Sequence, residues 1–447
     1  MSETERPATE PAEKRRRLPI HTRILIGLVT GAALGVAANL TLGGNEYLNS
    51  FIDGPVYFVG QVFLRLIFMI VIPLIFSALA LGVAELGDVR RLGRIGAKTF
   101  IYTLLVTTLS VVLGIALVNT IQPGHFLSEE KKAELIASTG KETVIANAEA
   151  AKKTKTVDRL LQIIPNNPIG DAANALNPHP NYVGSGFLAI MFFAFVFGLG
   201  LALSDPDTVR PVIAVLQGVY AAVMKIIDFA MALAPYAVAA LIFSTTARLG
   251  FEIFATLGMY VFVVLLGLAI HQFVTYSILV KVFARYSPLT FFRKIREVMI
   301  TAFSTSSSNA TLPTAIRVTQ DELGVPREIT GFVLTLGSTA NQNGTALYEG
   351  ITVLFLAQVF NVELTLAQQL TVVLLAVLAG IGTAGVPGGS LPLVVLVLQT
   401  VGVPAEGIAI ILGVDRILDM SRTVLNVTGD ITAAAYVARS EGYALKT

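Results

Sequence analysis

The sequence predicts an all-α polytopic membrane protein with eight transmembrane helices and two re-entrant helical hairpins. Three observations carry that prediction. Apolar residues make up 54% of the 447-residue chain and charged residues only 14%, against about a quarter charged in ordinary soluble domains. Six apolar runs are each long enough to cross about 30 Å of hydrocarbon at about 1.5 Å per residue. Two later segments are apolar but broken at their middles by turn-forming residues, leaving halves too short to span.

Taken in order, residues 1–18 are polar, rich in Pro and Glu, and end in a Lys-Arg-Arg-Arg cluster, so they read as a disordered cytoplasmic N-terminus and not as a cleaved signal peptide. The six runs are 19–42, 55–85, 98–121, 184–204, 210–246 and 252–283. The first holds Gly27, Gly31 and Gly35, a small-residue stripe whose expected use is close packing against a helix of the same subunit. Basic residues cluster at Arg90, Arg91, Arg94 and Lys98 after two crossings, and at Arg293, Lys294 and Arg296 after six. Both clusters are cytoplasmic if the N-terminus is, and eight crossings return the C-terminus to the same side. Residues 123–183, mixed in charge and rich in Ala, Lys and Glu at their centre, are expected to form an external loop and the start of the fourth helix.

Beyond residue 285 the pattern changes. The segment 288–320 is interrupted by "TSSSNATLPT" and 365–402 by "GIGTAGVPGGSLP", and each is followed by a longer helix, 325–359 and 405–438. Backbone broken at membrane depth survives only where it is buried in protein or lines a water-filled cavity, so each reads as a hairpin entering the membrane and turning back. Gly/Pro-broken segments in corresponding positions of two halves point to a transporter's binding site.

The chain has no cysteine, and its four histidines, His21, His125, His179 and His271, lie far apart. Disulfide, thiolate-metal and Cys-nucleophile chemistry therefore have no material, and no cofactor or transition metal is expected. A net charge of +2 singles out no partner, and no nucleic-acid partner is expected.

The last helix concentrates charge in "GVDRILDMSRTVLNVTGD". Asp415, Asp419, Arg422, Asn426 and Asp430 fall on one helical stripe, while Arg416 is expected to point away. A charge at bilayer mid-depth costs about 2.5 to 3.5 kcal/mol on insertion scales, so the stripe must face protein, water, ligand or ions. A self-neutralising ladder that only packs is one reading. The other sorts a ligand: the Arg422 fork suits a carboxylate, Asp419 an ammonium, and Asp430 with Asn426 a small cation such as Na+. On the preceding helix, "STANQNGTALYEG" places Asn341, Thr345 and Glu349 on one face, with Gly344 as a weak point where carbonyls could be freed for a cation. Glu349 is a lone carboxyl in an apolar run, hence a candidate proton carrier. Ser306, Ser307, Ser308 and Asn309 at the first hairpin tip suit a carboxylate cradle at a helix N-terminus, and without a nearby Lys or His they do not read as a catalytic nucleophile.

"TSSSNATLP", "NQNGTALYEG", "GIGTAGVPGG" and "DMSRTVLNVTGD", in that order, resemble the dicarboxylate/amino acid:cation symporter family, which includes the excitatory glutamate transporters. The likeness runs through nearly all of the chain after residue 19. It implies a glutamate-transporter-like fold with inverted repeats, assembled as a homotrimer in the cell membrane. A scaffold of helices one, two, four and five (mainly 19–85 and 184–246) would hold the subunits together. A transport domain (mainly 98–121, 252–283 and 288–438) would carry a glutamate- or aspartate-like substrate by an elevator motion, with lipid around it. Site roles follow from the same likeness. Arg422 would hold the substrate's side-chain carboxylate and Asp419 its amino group, with Asn426, Thr345, Ser306 to Ser308 and the tip at Val386, Pro387 and Gly388 in contact. Gly337, Asn341, Asn426 and Asp430 would form one Na+ site, and carbonyls of Thr339, Gly380, Ile381 and Thr383 a second.

One motif departs from the family. Where its members usually read Asn-Met-Asp-Gly-Thr, this chain has Gln342 and Asn343, so a third Na+ site, to which Val106 and Thr107 would align, lacks its carboxylate. Oxygen charge sets much of a hard cation's affinity. Glu349 stands where proton-coupled members carry a proton, so H+ is expected to replace one or more Na+ as the coupling ion. Carriers of dicarboxylates or neutral amino acids within the family, and a channel or receptor built on the same fold, are the alternatives.

Overall fold

The computed structural model describes residues 20–43, 45–85, 94–139, 164–174, 187–382 and 388–446. The N-terminal stretch 1–18, much of the expected loop 123–183, and Thr383, Val386 and Pro387 lie outside the described residues.

Every element among the described residues is helical or a turn. Helix α1 spans Ile20–Leu42. A short helix, Glu46–Phe51, capped by Asn45 accepting from Tyr47 N (2.9 Å), leads through a π-turn at Ile52–Val56 into α2, Tyr57–Glu85. Helix α3 is Arg94–Ile121, α4 is Phe187–Leu203 and α5 is Pro206–Leu249. Asp205 caps α5 by accepting from Thr208 N, and Pro206 needs no donor at the first helical position. Helix α6, Glu252–Ile270, passes through a π-turn at His271–Thr275 into α7, Tyr276–Val282. Five of the six expected spans are long and apolar enough to cross a membrane, and the remaining one, α4, is an apolar helix of 17 residues.

The C-terminal part follows the expected order. Helices α8 (Pro288–Thr305) and α9 (Ser308–Asp321) pack on each other as a hairpin. Helix α12 is Leu366–Gly382 and α13 is Leu391–Thr400, and α14, Ile408–Ser440, closes the chain. The expected single helix 325–359 is instead two, α10 (Arg327–Ala340) and α11 (Asn343–Val359). The interruption falls on Asn341 (φ −125°, ψ 66°) and Gln342 (φ −99°, ψ 58°) and not on Gly344. The side chains of Asn341 and Gln342 bond elsewhere in the protein and hold the kink open, so Asn341 does not share a helix face with Thr345 and Glu349.

Helix α1 packs along α5, and there the glycine stripe has its use. A Cβ on Gly27, Gly31 or Gly35 would collide with the α5 backbone at Pro235, Ala239 or Phe243. Helix α2 lies against α5 and α4. A second group centres on α11, buried along its whole length except Gln358, with α3 on one side and α14 on the other. Helices α8, α9 and α10 pack around α14, and α12 and α13 bring the second hairpin against α2. Large apolar side chains stay exposed on the outer faces, among them Leu25, Leu34, Phe58, Val215 and Phe229. A surface of that kind is suited to hydrocarbon. After α14 the chain is tied down: Glu441 pairs with Arg94 and Lys98, and the Lys446 amide donates to Leu323 O (2.9 Å).

Candidate functional site

Three backbone interruptions belong to elements that pack on α14. The first is the α8–α9 tip, where Ser306 takes a left-handed conformation (φ 51°) and Ser307 caps α9 by accepting from Ala310 N (3.2 Å). Ser306, Ser307 and Ser308 are all buried, and Ser306 Oγ has no hydrogen-bond partner among the described residues. The second is the α10–α11 break. The third is the end of the second hairpin, where Gly388 (φ 76°) donates its amide to Asp419 Oδ2 at 3.3 Å.

The stripe on α14 is buried throughout. Arg422 is 1% exposed; its Nη1 donates to Asp415 Oδ1 and its Nη2 pairs with Asp419 Oδ1, both at 2.9 Å. Its guanidinium lies 4.2 Å from the centroid of the Tyr348 ring. An arginine so deep is tolerable only with such partners, since an unpaired buried charge costs about 3 to 5 kcal/mol. One turn on, Asn426 Oδ1 accepts from the amides of Gly344 (2.7 Å) and Thr345 (3.3 Å). Its Nδ2 donates to Gln342 Oε1 (2.5 Å) and Thr345 Oγ1 (3.1 Å). One side chain thus satisfies the first amides of α11, which the helix itself leaves without acceptors. Arg416 does not point away as expected. Its long side chain reaches forward three residues and brings Nη1 to 3.4 Å from Asp419 Oδ2.

Below Asn426, Asp430 Oδ1 accepts from Asn341 Nδ2 at 2.8 Å, while Asn341 Oδ1 is buried without a partner. Gly337 faces the same carboxylate so closely that any Cβ would strike it. Asn341, Asp430 and Gly337 therefore stand together at the break, with Asn426 one helical turn before Asp430. Thr339 lies on the last turn of α10, while Gly380 and Ile381 lie at the end of α12, with Gly380 beside Gln342 and Thr107.

Asn343 takes the position of the missing carboxylate and is wholly buried. Thr107 Oγ1 donates to its Oδ1 (2.5 Å), and its Nδ2 donates to Tyr276 OH (2.9 Å). The amide is satisfied by neutral partners at both ends. Glu349 is 0% exposed, and neither carboxyl oxygen has a hydrogen-bond partner.

Sequence reasoning did not reach Tyr348 beneath Arg422, Gln342 as a partner of Asn426, or Tyr276 as a partner of Asn343. Tyr348 follows Thr345 by one helical turn, which was a usable signal. The other two contacts join distant segments, and nothing in the sequence marked them.

A helical membrane protein whose broken helices meet around buried, internally paired charges has the build of a secondary transporter. Comparison with known proteins makes that class specific: the model of the sodium:dicarboxylate symporter family matches residues 20–440, and the chain belongs to that family. It is similar to a proton/sodium-glutamate symport protein of Bacillus subtilis (36% identity, covering 96% of this chain and 94% of that protein). It is similar also to a proton/glutamate-aspartate symporter of Escherichia coli (34% identity, 96% and 94%) and to excitatory amino acid transporter 3 of Mus musculus (31% identity, 97% and 88%).

Proposed function

We propose that this chain is a secondary active symporter that moves an acidic amino acid, glutamate or aspartate, across the cell membrane, coupled to Na+ and H+. The observation that carries the proposal is Arg422, wholly buried where the interrupted helices meet and held by two carboxylates, Asp415 and Asp419. A guanidinium paired this way can turn to a ligand carboxylate and release Asp419 to accept from the ligand's ammonium. Both ends of an acidic amino acid are then matched by charge-assisted hydrogen bonds. The names of the relatives, which are glutamate and glutamate-aspartate symporters, support the same substrate class.

Asn426, Thr345, the serines 306 to 308 and the second tip at Val386, Pro387 and Gly388 complete the substrate site. Gly337, Asn341, Asn426 and Asp430 hold one Na+; Thr339, Gly380, Ile381 and Thr383 hold a second. The neutral packing of Asn343 against Thr107 and Tyr276 removes the charge a third Na+ needs. Glu349, buried with no bonded partner, carries a proton in its stead. Helices α1, α2, α4 and α5 form a trimerising scaffold. The remaining helices and the two hairpins move against it as an elevator, with both termini on the cytoplasmic side. Labelled aspartate and glutamate uptake into proteoliposomes, with Na+ and H+ gradients imposed separately, tests the reading. Uptake driven by both gradients is expected, and uptake indifferent to both would refute symport.

A further inference from the structure

Arg416 has no part in the proposed substrate and cation sites. It follows Asp415 on α14, its side chain is 14% exposed, and its Nε is buried without a hydrogen-bond partner. It lines a small cavity in which, among the described residues, the charged neighbours are Asp415 and Asp419 of its own helix; α1, α2 and α5 contribute apolar side chains such as Phe63, Met231 and Val238. A guanidinium against such a wall needs a counter-charge. Asp419 is shared: Oδ1 pairs with Arg422 at 2.9 Å, while Oδ2 accepts from Gly388 N at 3.3 Å and faces Arg416 Nη1 at 3.4 Å. The contact to Arg416 is the long one and the easiest to displace.

We infer that Arg416 is a specificity-determining residue: a tethered cation beside Asp419, against which the ammonium of an amino acid must bind. The inference rests on Asp419 as the ammonium acceptor. With Arg416 in place, an amino acid binds Asp419 against a like charge, whereas a dicarboxylate lacking the amino group finds Asp419 already neutralised. Arg416 therefore narrows the preference for amino acids over their deaminated analogues. It also balances the charge of the site, two carboxylates facing two guanidiniums.

The test measures the KM of aspartate and the Ki of succinate, its skeleton without the amino group, against aspartate uptake in proteoliposomes. Arg416→Gln is expected to lower the aspartate KM and raise the succinate Ki, increasing their ratio about fivefold or more. Arg416→Lys, which keeps the charge, is expected to keep the wild-type ratio. A merely structural role would move both constants together. Should Arg416→Gln fail to fold, Arg416→Met retains the apolar stem against Phe63 and Val238 and carries the same expectation. A ratio unchanged within about twofold, both constants moving in one direction, or a wild type that succinate does not inhibit at all would each overturn the inference. Asp419→Asn separates the two levels. If that variant leaves the aspartate preference intact, the ammonium assignment fails; if it abolishes the preference while Arg416→Gln changes nothing, only the role of Arg416 fails.

Discussion

Restoring the missing carboxylate by Asn343→Asp should create a demand for Na+. Asn343 is wholly buried, and as an amide it accepts from Thr107 and donates to Tyr276. Aspartate keeps the first bond and loses the second, because Tyr276 OH already spends its hydrogen on Leu425 O (3.0 Å). If the tyrosine turns toward the new carboxylate, the Leu425 carbonyl is stranded instead. No Lys or Arg is bonded to this group, so the introduced charge is uncompensated and should cost about 3 to 5 kcal/mol. A bound Na+ at about 100 times its Kd would return about 2.7 kcal/mol. The assay is thermal unfolding of the purified protein at mildly alkaline pH in Na+ and in choline at matched ionic strength, with the Na+ dependence of aspartate binding alongside. Relative to wild type, the variant should be weakened in choline, recover in Na+, and show a steeper Na+ dependence. Equal stability in choline, or rescue by acid alone with no response to Na+, would refute the reasoning.

Three further outcomes are expected. Glu349→Gln, nearly isosteric at a carboxyl without bonded partners, should leave the protein folded and remove the response of uptake to an imposed pH gradient; a variant still driven by protons would clear Glu349 of that role. Arg422→Cys strands Asp415 and leaves Asp419 only Arg416 and the Gly388 amide, so acidic amino acid uptake should be lost along with about 3 kcal/mol of stability, while uptake of labelled serine or alanine reports whether neutral substrates are admitted. Outside the membrane segments, Arg94 and Lys98 hold the Glu441 carboxyl down at about 2. Because this carboxyl lies below its unfolded value of about 4.3, its contribution is complete above that value and is lost as pH falls toward 2. The melting-temperature gap between wild type and Glu441→Gln should therefore be flat from alkaline pH down to about 5 and close below about 4.

What the sequence made legible follows from local physics. Apolar length located the spans, glycine spacing foretold that α1 packs closely on another helix of the same subunit, and the periodicity of polar residues put Asp415, Asp419, Arg422, Asn426 and Asp430 on one buried face. Each of these is decided within a helix or two. The break at Asn341 and Gln342 was not, because neither residue is a strong breaker. The kink exists because Asp430 and Asn426, more than eighty positions along the chain, offer better partners than the next helical turn. Arg416 was misread for a related reason. Helical periodicity gives the direction of a Cβ, whereas the reach of a long flexible side chain depends on which charge is nearby.

The side chains expected to hold ligand and ions also carry structural duty within the protein. In hydrocarbon each freed backbone group costs several kcal/mol. Here Asn426 takes the Gly344 and Thr345 amides, Asp419 takes the Gly388 amide, and Gln342 Nε2 donates to Ser338 O at 2.9 Å. At Asn426, Asp419 and Gln342 a ligand displaces or shares existing bonds, whereas at Ser306 Oγ and Asn341 Oδ1 it meets groups unpaired among the described residues. Net affinity is then the difference between two well-bonded states and stays far below the sum of the new contacts. A carrier needs that difference to be small, since it must release on one side what it captured on the other. The second hairpin follows the same logic. Its Gly388 amide rests on the carboxylate proposed for the ammonium, so a ligand bound at Asp419 competes with the contact between Gly388 and α14 through a single shared acceptor.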